Sequence, residues 1–366
     1  MGLVKSLSIG LVSTSLMVTV LATNAKAEKA GSLSLQYDTS IGRPANLQQG
    51  EFPGVPGTLA VPQGIAVDES GNIYISNGRG IDRVDVFDSQ GNYIRGIGSS
   101  GKGPGQIDEP LDVKFSPVDG NLYVGDGFNN RIDVFDRNGN FVKSFGSFQG
   151  PIEGRFFFGP GGMQFDKKGN LYVTDFTADV VKVYDIDGNL IKTFGSTGTG
   201  PGEFQGPAGL NISKRTGNIF INDQYNNRVQ VFNPQGKFLY TFGSEGQQPG
   251  QFQQPIGIEL DEHDNIYVTD SINSRVQVFD KKGNFLTAYG QPARNASGEL
   301  VLPPAIGGPT PYGDPIDLTP GVFNWTGGEH YANGKLYVGD FYQGRVQVLN
   351  VVKNKNLRQS SSSRRY

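Results

Sequence analysis

Apolar and polar positions along this chain repeat one pattern. Each copy holds four short apolar or alternating stretches, separated by turns rich in Gly, Asn and Asp. An Ile or Leu followed by an aromatic residue marks the second stretch and recurs every 47 to 49 residues, at Ile73, Leu122, Leu171, Ile219 and Ile266. A sixth such pair, Leu336-Tyr337, follows after a longer interval. A period of this length predicts one supersecondary unit repeated around an axis.

The fourth copy shows the unit clearly. Residues 209–212 alternate with the two-residue period of a strand, and residues 219–221, 229–232 and 238–242 are rich in β-branched and aromatic residues. Four antiparallel strands within one such step predict a blade of a β-propeller. Because apolar residues occupy both faces of the middle strands, neighbouring blades must cover them.

The two ends of the repeat region predict how the ring closes. Residues 33–37 resemble a fourth strand, whereas the sixth copy ends at 346–349 without one. We therefore expect residues 33–38 to complete the sixth blade, which removes the open sheet edges that invite aggregation. The predicted fold is all-β: a six-bladed β-propeller of four-stranded antiparallel blades, closed by an N-terminal strand.

The termini carry separate expectations. Residues 1–27 indicate a secretory signal peptide, with Lys5 at the start, an apolar stretch and a small-x-small cleavage site; an uncleaved anchor is the alternative. Residues 28–352 are expected to form the propeller, with no other segment apolar enough to span a bilayer. The basic, Ser-rich end, 353–366, predicts a disordered tail, with a surface-binding role as the alternative. The expected location is secreted or periplasmic.

Composition narrows the chemistry. The chain has no cysteine, so disulfides, thiolate nucleophiles and Cys-ligated zinc are excluded. The formal net charge is −3, and it becomes −10 without Lys5, Lys26 and the five basic residues of the tail. Such an acidic body argues against broad binding of nucleic-acid phosphates.

The recurring segments Gly-Asn-Ile/Leu-Tyr-Val-Thr/Gly-Asp and Asn-x-Arg-Val/Ile-x-Val-Phe resemble those of the NHL-repeat family. The resemblance covers nearly everything from about residue 33 to residue 351. It implies a six-bladed propeller. It implies little about function, because members of that family include binding platforms for proteins or RNA as well as some metal-dependent lyases.

An acid ends the second strand of most copies, and an arginine opens the third. The acids are Asp126, Asp175, Asp223, Asp270 and Asp340, with Asn77 in the first copy; the arginines are Arg83, Arg131, Arg228, Arg275 and Arg345, with Val180 in the third copy. A carboxylate here can accept backbone N–H groups of a turn and pair with the arginine. Because a functional residue rarely recurs in every blade, we interpret this ring as structural.

One slot of the first strand varies between copies, which favours a functional position. It holds Ala66, Lys114, Gln164, Asn211 and Glu259 between apolar neighbours. Long polar side chains there predict a wet central tunnel, which is either merely solvated or binds a ligand or cation through Lys114, Gln164, Asn211 and Glu259. Ca²⁺ would suit this mix of oxygen ligands, although one formal charge is little for tight binding.

The interval 291–333 is longer than its counterparts and rich in proline. It holds Trp325, which is the only tryptophan, together with Glu329 and His330, and we expect these three on a loop face. Long loops in compact folds are often functional. A simple plug over the tunnel is the alternative.

Two alignments of this interval stay open. Residues 315–318 resemble residues 110–113, which places the excess after the first strand of the sixth blade. Residues 321–323 resemble residues 257–259, which places it before that strand. The two alignments put the extra loop on opposite faces of the ring.

Histidine is scarce, with only His263 and His330 in the chain. A catalytic zinc normally has three protein ligands, His prominent among them, so the His-rich zinc site of NHL-type lyases cannot form. No Gly-x-Ser-x-Gly elbow is present to build a Ser-His-Asp triad.

We therefore expect an exported, monomeric, non-enzymatic propeller without a cofactor, whose loop face binds a protein, peptide or glycan. The alternative is a divalent-cation-dependent lactonase-like or lyase-like enzyme at the tunnel.

Overall fold

The computed structural model describes residues 33–45, 54–155, 157–295, 297–300 and 317–353. These residues form six four-stranded antiparallel sheets, and two short 3-10 turns are the helical structure among them. The predicted signal peptide lies outside the described residues, and so does the predicted tail 353–366 apart from Lys353, which ends the last strand. No helix in the described part of the chain has the length and apolarity needed to cross a membrane.

The sheets are the blades of a propeller, and the first strand in the chain, β1 (Leu33–Ile41), belongs to the last blade. Blade 1 consists of β2 (Pro62–Val67), β3 (Ile73–Asn77), β4 (Arg83–Phe87) and β5 (Tyr93–Ile97). The short strands β6 (Ser99–Ser100) and β7 (Gln106–Ile107) follow in the linker to the next blade. Blade 2 consists of β8 (Pro110–Phe115), β9 (Leu122–Asp126), β10 (Arg131–Phe135) and β11 (Phe141–Phe145).

Blades 3 and 4 repeat this order. Blade 3 consists of β12 (Pro160–Phe165), β13 (Leu171–Asp175), β14 (Val180–Tyr184) and β15 (Leu190–Phe194). The linker strands β16 (Ser196–Thr197) and β17 (Glu203–Phe204) come next. Blade 4 consists of β18 (Pro207–Ile212), β19 (Ile219–Asp223), β20 (Arg228–Phe232) and β21 (Phe238–Phe242).

The last two blades differ in how they end. Blade 5 consists of β22 (Pro255–Leu260), β23 (Ile266–Asp270), β24 (Arg275–Phe279) and β25 (Phe285–Tyr289), and the linker strands β26 (Gln291–Pro292) and β27 (Val322–Phe323) follow it. Blade 6 takes β28 (Thr326–Ala332), β29 (Lys335–Asp340) and β30 (Arg345–Lys353) from the end of the described chain. Its fourth strand is β1, which pairs antiparallel with β30 from Leu33↔Lys353 to Ile41↔Val346.

Burial explains why each blade needs its neighbours. The second strands, such as β9 and β13, are buried at every position, because apolar residues on both faces pack against adjacent blades. The fourth strands, such as β21, alternate between half-buried and exposed residues. The prediction of an all-β, six-bladed propeller with four-stranded antiparallel blades is confirmed.

The first strands stand side by side around the axis, and glycine lets them approach closely. A Cβ on Gly209 would lie 2.3 Å from the carbonyl oxygen of Ile256 in blade 5, and one on Gly64 would lie 2.5 Å from Asp112 Cα in blade 2. The inner strands are therefore nearly in contact, and the space along the axis is narrow.

The long interval lies before the first strand of blade 6, as the second alignment placed it, although neither alignment found the strand itself. Val322–Phe323 pairs in parallel with Gln291–Pro292, as Glu203–Phe204 pairs with Ser196–Thr197. Residues 321–323 are thus linker rather than first strand, and the first strand begins at Thr326. Neither alignment found this register, because Thr-Gly-Gly-Glu-His-Tyr-Ala lacks the opening proline and the apolar fourth residue of the other first strands.

Candidate functional site

The strand order gives the propeller two different faces. One face carries the linkers between blades and the loops between second and third strands, and we call it the linker face. The other carries the tight turns between first and second and between third and fourth strands, and we call it the turn face. The first strands run from the linker face to the turn face, so residues early in them lie near the linkers.

The repeated acids hold the linkers to the blades. Backbone N–H groups of Asp108, Gln205, Gln253 and Asn324 donate to Asp126, Asp223, Asp270 and Asp340 at 2.7 to 2.9 Å. The same acids pair with Arg131, Arg228, Arg275 and Arg345 at 2.8 to 3.2 Å. The arginines also donate to linker carbonyls; Arg228, for example, reaches the oxygens of Thr199 and Gly200. These contacts stabilise the ring and leave the acids fully buried.

In blades 1 and 3, other residues make these contacts between linker and blade. In blade 3, Lys182 Nζ lies 2.8 Å from Asp175 Oδ2 and takes the place of the missing arginine. In blade 1, Asn77 accepts the N–H of Ala60 at 2.9 Å, and Arg83 pairs with Asp85 at 2.6 Å instead. Blade 1, which lacks the acid, and blade 3, which lacks the arginine, are therefore still held by polar contacts of the same kind.

The variable slot of the first strands has six members, because blade 6 contributes a histidine. Each member stands opposite an aromatic residue of the second strand; the members are Ala66, Lys114, Gln164, Asn211, Glu259 and His330. The expectation that His330 lies on a loop is wrong, since it belongs to β28. Glu329, the residue before it, is also in β28 rather than on a loop.

Glu259 is the centre of the contacts in this slot. Its Oε1 lies 3.2 Å from Lys114 Nζ and 3.6 Å from His330 Nδ1, and its Oε2 accepts a hydrogen bond from Asn211 at 2.9 Å. Burial opposes ionisation of Glu259, but Lys114 and His330 outweigh it and lower the pKa of this carboxyl to about 2. Lys114, Asn211 and Glu259 are only 4 to 6% exposed, so they contact one another rather than a wet tunnel.

The remaining members of the slot are not part of this cluster. Gln164 Oε1 accepts the backbone N–H of the next residue, Phe165, at 2.9 Å. Ala66 has no polar group to contribute. Asp112 joins the cluster from outside the slot, with Oδ1 3.7 Å from Lys114 Nζ, and it accepts the N–H of Met163 at 2.8 Å. Burial raises the pKa of Asp112 even though Lys114 acts in the opposite direction.

Glu329 is the exception among the first strands. Its counterparts in register are Ile65, Val113, Met163, Leu210 and Ile258, all of them apolar and buried. The Glu329 side chain is likewise only 4% exposed, and neither carboxyl oxygen has a hydrogen-bond partner among the described residues. Burial, with the nearby charge of Glu259, raises the pKa of Glu329 well above its usual range.

A cavity of about 60 Å³ lies on the axis between this cluster and the linker face. Lys114, Glu259 and Glu329 line it with polar groups, whereas Leu111 and Phe176 line it with apolar ones. A polar cavity of this size has room for a few water molecules or a small group of a ligand.

Aromatic rings close the cavity toward the linker face. Phe157, from the linker between blades 2 and 3, packs edge-on against Phe176 of blade 3 at 5.9 Å and against Phe341 of blade 6 at 6.3 Å between ring centroids. Trp325 continues the cluster, 5.6 Å from Phe341 and 5.5 Å from Tyr342. We call these five residues the aromatic cap. Trp325 is buried in it, so the expectation of an exposed loop tryptophan is wrong.

The linker face, which carries the aromatic cap, also exposes apolar side chains. Phe128 is 41% exposed and stacks on Phe158, the neighbour of Phe157, with ring centroids 4.4 Å apart. Val55 and Ile152, also on the linker face, are 40% and 39% exposed. This face therefore offers apolar contact area around a rigid aromatic centre.

The turn face holds the one group of carboxylates and histidine within the described residues whose spacing could suit a metal ion. It consists of Asp261, Glu262 and His263, and the last two are exposed. Lys353 Nζ lies 2.8 Å from Glu262 Oε1 and 3.1 Å from His263 Nδ1. A lysine ammonium thus already occupies the position that a cation would take.

Comparison with known proteins supports the fold and leaves the chemistry open. A family model described as a 6-bladed beta-propeller matches residues 211–287, and a beta-propeller repeat model matches residues 48–76. These matches support the propeller and its repeat, while membership of the NHL family stays a prediction. No curated protein matches the chain.

Several solved structures share the fold at low sequence identity. A protein of unknown function from Bacteroides thetaiotaomicron is 16% identical with a TM-score of 0.63, over 88% of this chain and 77% of that one. An auxiliary nutrient binding protein from the same species is 11% identical with a TM-score of 0.61, over 90% and 78%. Virginiamycin B lyase from Staphylococcus aureus is 12% identical with a TM-score of 0.54, over 88% and 100%.

The sequence did not show which residues would make the site distinctive. Phe157 and Phe176 line the cavity's apolar end, but aromatic residues are too common in the blades to single them out. Glu329 was expected on a loop face; its place in a first strand could have been found, because a correct alignment of blade 6 puts it in an otherwise apolar column. The error in aligning the long interval hid that signal.

Proposed function

We propose that this protein is a non-enzymatic binding scaffold located outside the cytoplasm, which recognises a protein, peptide or glycan through its linker face. The observation that carries the proposal is the exposed ring of Phe128, which stacks on Phe158 next to Phe157 of the aromatic cap, with Val55 and Ile152 exposed on the same face. Exposed apolar patches on a rigid surface mark interaction sites more often than chance exposure does. Aromatic residues in particular supply much of the energy of such contacts.

The polar groups of the tunnel support the same choice. A cation-dependent lactonase-like or lyase-like enzyme would need free oxygen ligands, and both oxygens of Glu259 are engaged by Lys114 and Asn211. Of the two glutamates that line the cavity, Glu329 alone has carboxyl oxygens without a hydrogen-bond partner among the described residues. The enzyme therefore remains the second candidate. Elemental analysis of the purified protein tests it, since stoichiometric Ca²⁺ that is lost in Glu259→Ala would favour the enzyme.

The comparisons add precedents of both kinds. One protein of similar fold is called an auxiliary nutrient binding protein, and another is called a virginiamycin B lyase. At these identities the likeness carries the fold alone, so the proposal rests on the local geometry. A signal peptide at residues 1–27 would bring the propeller to the compartment where an external partner is met.

The proposal is tested by screening the purified protein against a glycan array and a random peptide library. We expect selective binders, and we expect Phe128→Ala to weaken their binding by about tenfold or more, as loss of an aromatic anchor does. Leu239→Ala is the matched control, because Leu239 is similarly exposed at 44% but lies on the outer strand β21. Equal loss in both variants, or no binder at all, would contradict the linker face as the recognition surface.

A further inference from the structure

The turn face holds a groove between blades 3 and 4 with a volume of about 240 Å³. Lys167 and Lys168, from the turn after β12, line one side, and Lys214 and Arg215, from the turn after β18, line the other. Four cationic side chains thus face one groove on a protein whose formal net charge is negative. The groove lies on the face opposite the aromatic cap, so it is independent of the proposed function.

The equivalent turns of the other blades show whether this positive charge is a general feature of the repeat. The same turn carries acidic side chains in three other blades, Asp68 and Glu69 in blade 1, Asp119 in blade 2, and Asp261 and Glu262 in blade 5. Blade 6 has the uncharged Asn333 and Gly334 there. Positive pairs therefore occur only in the two adjacent blades that share the groove, which a general requirement of the turn cannot explain.

Three of the four cations have no ion-pair partner among the described residues. Arg215 is engaged, because its Nε lies 2.9 Å from Asp264 Oδ2 in blade 5. Among the described residues, no carboxylate lies within ion-pair distance of Lys167, Lys168 or Lys214, and all three side chains are exposed. These three ammonium groups are thus open to solvent or to a bound anion.

The one carboxylate in the groove is already used by its own turn. Asp166 Oδ1 accepts the backbone N–H groups of Lys168 and Asn170 at 2.8 and 2.9 Å, and Oδ2 accepts from the Asn170 side chain at 2.8 Å. Asp166 therefore fixes the shape of the turn and presents the two lysines.

In a comparable groove between blades 5 and 6, the charged side chains are paired with each other. It has a volume of about 420 Å³, and its charged residues, Glu262 and Lys353, pair with each other at 2.8 Å. Its charges cancel without a ligand, whereas those of the groove between blades 3 and 4 do not.

The geometry points to the groove between blades 3 and 4 as a binding site for a phosphate or sulfate group. Lysine ammonium groups bind such tetrahedral oxyanions as point charges with several donors each. The apolar floor formed by Phe165, Ile212 and Pro234 suits the carbon part of an ester. The volume matches a single phosphate or sulfate ester rather than a polymer segment.

The test is calorimetric titration of the purified protein with inorganic phosphate, sulfate and glycerol phosphate, at a constant ionic strength set with sodium chloride because screening weakens such contacts. We expect one-to-one binding of at least one of the three. In the double variant Lys168→Ala/Lys214→Ala that binding should weaken by about tenfold or more, since two charge-assisted contacts are lost. Tighter binding of glycerol phosphate than of phosphate would identify an ester as the source, and the reverse order a free anion.

The matched control is Lys281→Ala/Lys282→Ala. These two lysines are also exposed in a tight turn of the turn face, between β24 and β25, but they do not line the groove. The control should bind the anions as tightly as the unmodified protein does. Both double variants should have the same unfolding temperature as the unmodified protein. Equal weakening in the two double variants, or no binding of any of the three anions, would overturn the proposal.

Discussion

At the scale of single residues, the six copies act as internal comparisons. A residue that recurs in most blades, such as the acid that ends the second strand in five of them, makes similar contacts each time and stabilises the ring. A residue present in one blade only has no such explanation. Glu259 and Glu329 are the clearest cases, one paired by its neighbours and the other left unpaired.

Glu259 gives a prediction about acid stability. Lys114 and His330 lower its pKa to about 2, below the unfolded value of about 4.3. A lowered carboxyl pKa stabilises the fold above the unfolded value, and that contribution is lost as the pH falls toward the folded value. We expect Glu259→Gln to cost about 3 kcal/mol at pH 7 and progressively less between about pH 4.5 and pH 2.

Urea unfolding at a series of pH values measures this difference. Glu69→Gln is the control, because Glu69 is exposed in a turn and its replacement should leave the free energy of unfolding unchanged at every pH. A penalty for Glu259→Gln that stays constant down to pH 2 would show that the ion pair is not the cause.

For Glu329 we expect the opposite effect on stability, namely that its replacement stabilises the protein. It occupies a position that is apolar in the other five blades, and its buried carboxyl has no partner among the described residues. We expect Glu329→Ile to raise the free energy of unfolding by about 1–3 kcal/mol. Because burial raises the pKa of Glu329, its cost in the native state grows as the pH rises above about 4.3, so the gain should increase toward neutral pH.

Thermal unfolding of the two proteins at pH 5 and pH 8 checks this. Ile258→Glu, which creates the same buried carboxyl in blade 5, is the reciprocal variant and should be strongly destabilised. If Glu329→Ile were instead less stable, the carboxyl would have to contact a group that stabilises it, such as a ligand in the axial cavity.

At the scale of elements, the packing of neighbouring first strands sets the width of the axis. We expect Gly209→Ala to destabilise the protein by about 1–3 kcal/mol, because the new Cβ would lie 2.3 Å from the Ile256 carbonyl oxygen and force blades 4 and 5 apart. Gly150→Ala is the control, since a Cβ there meets its nearest atom at 3.8 Å. Equal urea midpoints for the two variants would contradict the close packing of these strands.

The same elements show what could be predicted from the sequence. Strands with strong apolar patterning, such as β19 and β24, lie where the repeat places them. The first strand of blade 6 was missed, because Thr326 replaces the proline that opens the other first strands and Glu329 replaces an apolar residue. Its position is fixed instead by pairing with β29 and by the linker pair before it, which are contacts distant in sequence.

The candidate site was harder to predict than the strands. The slot that holds Lys114, Asn211 and Glu259 could be found by comparing copies, since all three occupy equivalent positions. Their mutual contacts could not be predicted, because these three residues lie in blades 2, 4 and 5 and meet across the axis. The aromatic cap was missed for the same reason, as Phe157 meets Phe341 only when the ring is closed.

At the scale of the whole molecule, the ring depends on how its two ends meet. β1 and β30 pair over nearly their whole length, and Leu33 and Leu35 of β1 pack in the core with Leu336 and Leu349. The pairing has one irregularity, between Tyr37 and Thr39. Since all other connections between blades are continuous chain, this contact is where the ring can open.

A disulfide across this contact should stabilise the whole protein. Ser34 and Val352 are directly paired and partly exposed, and the chain has no cysteine of its own to interfere. We expect the oxidised double variant Ser34→Cys/Val352→Cys to gain about 2–5 kcal/mol, because the bond closes a very long loop in the unfolded state. Thermal unfolding with and without a reductant measures the gain, and the reduced variant serves as its own control. A disulfide that forms fully but leaves the unfolding temperature unchanged would mean that the ends stay together until the blades themselves unfold, so that ring opening would not be the step that limits stability.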